Sequence, residues 1–341
     1  MKLLVVTQVI DTEHPILGFF HRWVEELAKH AEVVHVICLE EGTHQLPSNV
    51  RVHSLGKEDG NGRLTYLKRF FSLIYSLRRE YDNVFVHMNQ IYVILGAPFW
   101  RALKKPIGLW YAHGAVSPSL KLATFLTNFV FTSTPEGFRI DTPKRVIVGQ
   151  GIDTVLFTPA QKLTTDIKRL VTVGRISSSK NIDTLLRACA LLRDNGIRFH
   201  FRIVGIAITD TERRYETEVR QLASQLNLDD SIEWTGAVSN RELPAILQQS
   251  DIFIHDGATN SLDKTLLEAS LCGCIVVSSN PAYRSLTQAL AAELLFAPRD
   301  HEVLASIITA TETHNSAVNV RTLILEKYDI STLAKNIITT Y

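Results

Sequence analysis

Two loops in this chain set cations beside the start of a helix. In the first, the apolar run Leu170-Val171-Thr172-Val173 leads into Gly174-Arg175-Ile176-Ser177-Ser178-Ser179-Lys180-Asn181. A helical pattern follows from Ile182 to Leu192. Arg175 and Lys180 flank the Ser-rich turn, and two cations beside free amide N–H groups make a clamp for a diphosphate. In the second, Ile252-Phe253-Ile254 is followed by Asn260-Ser261-Leu262-Asp263-Lys264, a short amphipathic helix and the stop Gly273. The run Cys274-Ile275-Val276-Val277 then reads as another buried strand. The amides around Leu262–Lys264 suit an anion. Glu268 lies one turn along the helix, where a carboxylate can accept hydrogen bonds from two sugar hydroxyls. Each loop alone fits a capped surface helix with solvated charge equally well. The functional reading comes from the two together.

With the segments around them, these loops resemble the retaining glycosyltransferases of family four, which have the two-domain GT-B fold. Val173-Gly174-Arg175-Ile176-Ser177 with Lys180 is similar to the V-G-R-x-x-x-x-K donor-phosphate motif. Leu267-Glu268-Ala269 through Gly273 is similar to the end of the E-x7-E signature. Phe201-Arg202-Ile203-Val204-Gly205 resembles the strand between them. Trp234-Thr235-Gly236-Ala237-Val238 resembles the loop near the nucleobase. Gln150-Gly151-Ile152-Asp153 with Phe157 resembles the entry into the second domain. The match is good over about residues 145–280 and loose elsewhere.

The resemblance implies an α/β chain of two Rossmann-like domains facing a central cleft. Residues 1–158 would form the acceptor-binding domain, with a helix over 325–341 packing back on it. Residues 159–324 would form the nucleotide-sugar domain. The implied donor-binding residues are Gly174, Arg175, Lys180, Gly236, Asn260, Ser261, Leu262, Asp263, Lys264 and Glu268. The implied catalytic residues are His113, Arg175, Lys180 and Asn260. His113 ends the segment Trp110-Tyr111-Ala112-His113-Gly114, at the carboxyl end of a strand where ligands of parallel sheets gather. His14, His21 and His87 have weaker claims. Gly18 precedes the helical pattern from Phe19 in a loop that faces the acceptor in the family.

The chain departs from the family at one place. The first carboxylate of E-x7-E falls on Asn260, and the positions after it read Ser261-Leu262-Asp263, as in a variant branch with S-L-D-K. An amide can hydrogen-bond a sugar hydroxyl, but it brings no negative charge to an oxocarbenium-like transition state.

Composition narrows the alternatives. The chain has 341 residues, 45% hydrophobic and 21% charged, with a net charge of +1. These values fit a globular chain of two domains and give no bulk attraction to nucleic acid. Cys38, Cys189, Cys272 and Cys274 stand in apolar contexts and read as core residues in a reducing cytosol. Met1-Lys2 runs straight into Leu3-Leu4-Val5-Val6, which reads as a first buried strand rather than a leader. No apolar run approaches the ~18 residues of a membrane span. Residues 57–121 are rich in Lys and Arg interleaved with Leu64, Tyr66, Leu67, Phe70, Phe71, Leu73, Ile74 and Leu77. This basic amphipathic pattern fits either a core-packed helix with a solvated back or a surface that meets anionic lipid; the expected location is cytoplasmic, and under the second reading peripheral on the inner face of the membrane.

Strand and helix patterns alternate throughout, as in α/β folds with parallel sheets. Strands are expected at Leu3–Val6, Val33–Cys38, Val84–Val86, Gly108–Tyr111, Phe129–Phe131 and Val146–Val148. Helices are expected at Phe19–His30, Tyr66–Arg79, Val93–Ala102 and Ser119–Phe125. The polar stretch Thr158–Thr165, with its Pro159, reads as a linker.

The implied reaction moves a hexose-type sugar from a nucleotide-diphosphate donor to a hydroxyl of a carbohydrate or lipid-linked saccharide, with retention, as in assembly of bacterial surface polysaccharide, lipopolysaccharide or glycolipid. The departing phosphate itself would assist the incoming hydroxyl. The chain has no D-x-D pair and has Arg and Lys at the phosphates, so neither a metal nor a cofactor is expected. Two alternatives stay open. One is a nucleotide-sugar epimerase on the same fold, with Asp11 and Glu13 as its candidate carboxylates. The other is an inactive nucleotide-sugar-binding subunit. A nicotinamide oxidoreductase is disfavoured, because no G-x-G-x-x-G follows the first strand.

Overall fold

The computed structural model describes residues 1–162, 165–257, 261–283, 294–311 and 318–341, the side chains of 318 and 319 excepted. It divides into two compact units, Met1–Gly151 with Tyr328–Tyr341, and Ile152–Lys327.

The first unit holds seven strands: β1 (Lys2–Ile10), β2 (Val33–Glu41), β3 (Val50–Ser54), β4 (Asn83–His87), β5 (Ile107–Trp110), β6 (Phe129–Thr132) and β7 (Arg145–Ile147). They pair in parallel in the order β3-β2-β1-β4-β5-β6-β7. Leu4 and Val6 face one core with Phe70, Ile74, Val93, Trp100 and Leu120. Leu3 and Val5 face the other with Phe20, Trp23, Leu333 and Ile337. Because helices cover both faces, Leu3–Val6 of β1 is an unbroken apolar run rather than an alternating one. The first core lies under α2 (Arg63–Ser76), α3 (Gln90–Ala102) and α4 (Pro118–Leu126). The second lies under α1 (Phe19–Lys29) and the C-terminal helix Ile330–Thr340. The helical pattern expected over 325–341 is broken, since one helix ends at Lys327 and Asp329 caps the next through Ser331 N. Tyr341 then closes on the sheet, its hydroxyl donating to the Val84 carbonyl at 2.7 Å.

Strand β3 has no counterpart among the expected strands. Its alternation of Val with Arg51 and His53 belongs to an edge, where among the described strands it pairs with β2 alone.

The second unit repeats the design with β8 (Lys168–Val173), β9 (Phe199–Val204), β10 (Ile232–Gly236), β11 (Ile252–His255) and β12 (Ile275–Ser278). They run parallel in the order β10-β9-β8-β11-β12. Between them lie α5 (Ile182–Asp194), α6 (Asp210–Gln225), α7 (Leu243–Gln248) and α8 (Lys264–Leu271). The order reverses direction between β8 and β11, and such switch points open a crevice at the carboxyl ends of the strands.

The change of unit falls at Gly151–Ile152, ahead of the Thr158–Thr165 stretch expected as a linker. Phe157 is buried. Gln248 donates to the Thr158 carbonyl, and the Lys162 ammonium to the carbonyls of Ser250 and Gly273. The polar look of this stretch comes from side chains and carbonyls bonded within the second unit. All four cysteines are buried thiols.

Candidate active site

The loops after β8 and β11 stand on either side of the switch point of the second sheet. The first leaves β8 at Gly174 and passes through a single 3-10 turn, Ser178–Lys180, before α5. Its backbone is unusual at two places. Gly174 has φ +149, and its carbonyl packs where a side chain on Gly205 (φ +139) would stand. The Gly205 N–H in turn donates to the Gly236 carbonyl at 2.8 Å. The three glycines therefore end β8, β9 and β10 side by side, an approach that a Cβ at Gly205 would block. Asn181 adopts a left-handed conformation, φ 43 and ψ 47, and its amide donates to the Asp256 carbonyl at 3.0 Å.

The result brings Lys180 to the loop after β11. Its ammonium forms an ion pair with Asp263 and lies 3.5 Å from His255 Nε2. His255 Nε2 is 3.4 Å from the same carboxylate oxygen. Burial alone would push the Asp263 carboxyl up. The Lys180 charge and the His255 ring override it and hold the group well below the usual carboxylate range. Burial holds the His255 ring below its ordinary value, against the pull of the Asp263 carboxylate.

Asp263 also caps α8, accepting from Thr265 N at 3.3 Å. Glu268, on the next turn, is buried, with Oε1 3.4 Å from Lys264 Nζ. Burial pushes its carboxyl above the ordinary range, against the opposing Lys264 charge. Arg175 points to α6, where its Nη1 lies 3.1 Å from Glu212 Oε1. Glu212 is the last member of a capping box with Thr209, so its position is fixed by the start of that helix.

The structure thus joins Gly174, Lys180, Asp263, Lys264 and Glu268 at one end of one sheet, with Arg175 and Gly236 at its flank. Ser261 and Leu262 are buried, and the Ser261 carbonyl accepts from Asn280 Nδ2 at 3.0 Å. Leu262 is a core side chain, so a role toward a ligand falls to its backbone amide. Asn260 lies outside the described residues. In the first unit, His113 is exposed after β5, its Nδ1 accepting from Ala115 N at 3.1 Å. Gly18 packs against its own loop, and a Cβ there would meet the His14 carbonyl at 2.7 Å and that of Thr12 at 2.9 Å. His87 is buried and stacked on Phe20 at 4.0 Å, and burial lowers its pKa to about 3, which marks a core ring. His255, Glu212 and Asp256 were absent from the expected set. His255 directly follows the apolar run of β11, at the strand end where ligands gather, and that position was its only signal. Among the described residues, no group of three or more His, Cys, Asp or Glu is placed to hold a metal ion.

Two Rossmann-like parallel sheets, the second with cations and carboxylates at its switch point, define the GT-B class of protein. Residues 157–321 match the family model for glycosyl transferases group 1, and residues 16–120 match that for glycosyl transferase 4-like proteins. The chain is a member of the group 1, GT4-like glycosyltransferases. HepE of Anabaena, solved in complex with UDP and glucose, superposes with a TM-score of 0.78 over 100% of this chain and 99% of that one, at 19% identity. Sucrose-phosphate synthase from Thermosynechococcus elongatus superposes with a TM-score of 0.80 over 100% of this chain and 98% of that one, at 15% identity. At such identities the likeness speaks for the fold. WcaL of Salmonella typhimurium, named provisionally as a colanic acid biosynthesis glycosyltransferase, is 29% identical over 49% of this chain and 46% of its own length. The chain therefore aligns with less than half the length of this curated relative.

Proposed function

We propose that this chain transfers a hexose-type sugar, with retention, from a nucleotide-diphosphate sugar to a hydroxyl of a carbohydrate or lipid-linked saccharide, in bacterial surface polysaccharide, lipopolysaccharide or glycolipid assembly. The observation that carries the reading is the meeting of Lys180 with the capped start of α8 at the switch point of the second sheet. A cation and a helix N-terminus there suit a leaving diphosphate. Glu268, buried one turn on, suits the ribose hydroxyls. Relatives named for colanic acid and amylovoran biosynthesis support the polysaccharide context. The solved complex of HepE makes a UDP-sugar the first donor to try.

The test is a melting-temperature screen against UDP-, GDP- and ADP-sugars, followed by transfer of radiolabelled sugar from the stabilising donor to extracted lipid. Specific binding of one nucleotide series raises the melting temperature. Binding without transfer favours the inactive binding subunit, and interconversion of the donor sugar favours the epimerase. No stabilisation by any nucleotide sugar would remove the donor site altogether.

We also propose an anionic membrane surface as a partner of the first unit. On α2, Leu64, Phe71 and Tyr75 are exposed in line with Lys68, while Phe70 and Ile74 fill the core. Arg78 lies 4.1 Å over the Tyr75 ring. An outward apolar row flanked by cations combines both terms of interfacial binding. Not every cation of residues 57–121 is available, since Lys57 pairs with Glu40 at 2.6 Å and Lys105 turns to the Tyr81 carbonyl. Among the described residues, no helix is long and apolar enough to cross a membrane.

A further inference from the structure

Each cation of the candidate site comes with a carboxylate from the same unit: Arg175 with Glu212, Lys180 with Asp263, and Lys264 with Glu268. A site for a diphosphate would gain most from uncompensated positive charge, so the pairing calls for a reason.

The Lys180 pair is the most constrained on its acidic side. Asp263 Oδ2 faces both the Lys180 ammonium and His255 Nε2. Asp263 Oδ1 accepts from Thr265 N at 3.3 Å and from Thr265 Oγ1 at 3.1 Å. The Gly257 N–H donates to His255 Nδ1 at 3.3 Å. Nδ1 is then the acceptor of the ring, and the ring proton sits on Nε2, toward Asp263. The carboxylate is thus held from several sides, whereas its cationic partner stands on a flexible four-carbon stem. When a diphosphate arrives, Lys180 can turn toward it and Asp263 stays.

We infer that Asp263 is a positioning residue that acts through Lys180 to weaken the hold on a free nucleoside diphosphate more than the hold on the nucleotide sugar. The inference rests on the donor-site reading above. In the transfer, the bond between the anomeric carbon and the terminal phosphate oxygen breaks, and its electron pair stays on that oxygen. The sugar bonds to the acceptor hydroxyl oxygen. The hydroxyl proton passes to the departing phosphate and from there to solvent. The product diphosphate therefore ends with one more negative charge than the donor had. By holding part of the Lys180 charge, the fixed carboxylate leaves less of it for the ligand, and the product loses more than the donor, because the added charge develops on the phosphate nearest that ammonium. The site is then biased toward emptying after each turnover.

The experiment is calorimetric titration of wild type, Asp263→Asn, Lys180→Ala and the double variant with UDP, UDP-glucose, GDP and GDP-mannose. Asparagine is a good helix cap, so α8 keeps its start. Asp263→Asn is expected to tighten the nucleoside diphosphate by about tenfold and its sugar ester by less than about threefold, the difference reflecting the extra charge. In the Lys180→Ala background the gain should disappear, because the coupling runs through that ammonium. Asp263→Glu, which returns a carboxylate, should restore the weaker product binding. Equal tightening of both ligands, an unchanged product affinity, or a gain that survives without Lys180 would each overturn the inference while leaving the donor site in place. Failure of wild type to bind any of the four ligands would overturn the donor-site reading, and the inference with it.

Discussion

Lys264 Nζ and Glu268 Oε1 lie 3.4 Å apart across one turn of α8, while Glu268 Oε2 is buried with no hydrogen-bond partner among the described residues. One oxygen of the carboxylate is met by the helix's own lysine, and the other has no such partner among the described residues. A buried acceptor left unpaired costs about 1–3 kcal/mol, so a ligand hydroxyl at that oxygen would be bound with part of the desolvation already made.

The Glu268 pair therefore gives a pH prediction. Burial raises its pKa, so the folded protein binds the proton more tightly than the unfolded chain does. The corresponding stability is fully present below the ordinary glutamate pKa and is lost as pH rises through the folded value. The ionised form is the one that accepts two hydroxyls, so nucleotide affinity gains over the same window. Titrations across pH should show affinity falling on acidification before the ordinary glutamate range is reached. Glu268→Gln should flatten that limb and raise the melting temperature of the ligand-free protein at neutral pH. A wild-type affinity independent of pH would remove Glu268 from the nucleotide site.

Lys180→Ala and Arg175→Ala should each lower turnover by roughly tenfold to a thousandfold, as expected for lost charge stabilisation in the transition state. The larger loss is expected at Lys180, which meets the start of α8, whereas Arg175 is half exposed beside Glu212. Steady-state kinetics decide it, and wild-type rates in both variants would remove the diphosphate clamp.

Asn260 stands eight residues before Glu268, where we propose that the chain leaves the E-x7-E pattern. An amide donates and accepts, whereas a carboxylate only accepts. Asn260→Glu should change the ranking of donor sugars and leave affinity for the free nucleotide nearly unaltered. Asn260→Ala should lower transfer by about one to two orders of magnitude through an unpaired sugar group. Specificity constants for several nucleotide sugars, beside nucleotide affinities, test both. An unchanged ranking with unchanged rates would put Asn260 away from the sugar.

Transfer should proceed at full rate in EDTA, with the cations of the site neutralising the leaving diphosphate. Activity lost to the chelator and returned by Mg²⁺ or Mn²⁺ would contradict this.

Association with anionic vesicles should be present at low salt and weaken at high salt, because it combines screened charge with apolar burial. Phe71→Glu should reduce flotation, since Phe71 is exposed on α2 and its loss leaves the core intact. Flotation unaffected by salt and by this substitution would leave the outer face of α2 as solvated surface.

The alternation of buried strands with amphipathic helices was legible in the chain itself. Runs such as Leu3–Val6 and Leu170–Val173 are apolar on both faces, and that property is local. The positions of Gly174 at a strand end, Lys180 just before a helix start and Glu268 one turn into a helix could be read for the same reason. Strand β3 could not, because an edge strand acquires its meaning only from β2 beside it. The partners of the site were equally hidden. Lys180 meets Asp263 from 83 residues away, and Arg175 meets Glu212 from 37 away. No local period encodes such pairs. They follow from the order β10-β9-β8-β11-β12, which sets the ends of β8 and β11 side by side, and from the left-handed turn at Asn181 that starts α5 beside Lys180. The sequence by itself determined which segments are strands and helices and which charged residues stand at their ends, since these depend on near neighbours. Only the tertiary structure decided that Lys180 and Arg175 each meet a carboxylate far along the chain, because such pairing depends on which strands lie adjacent, whereas Lys264 and Glu268 meet across one helix turn.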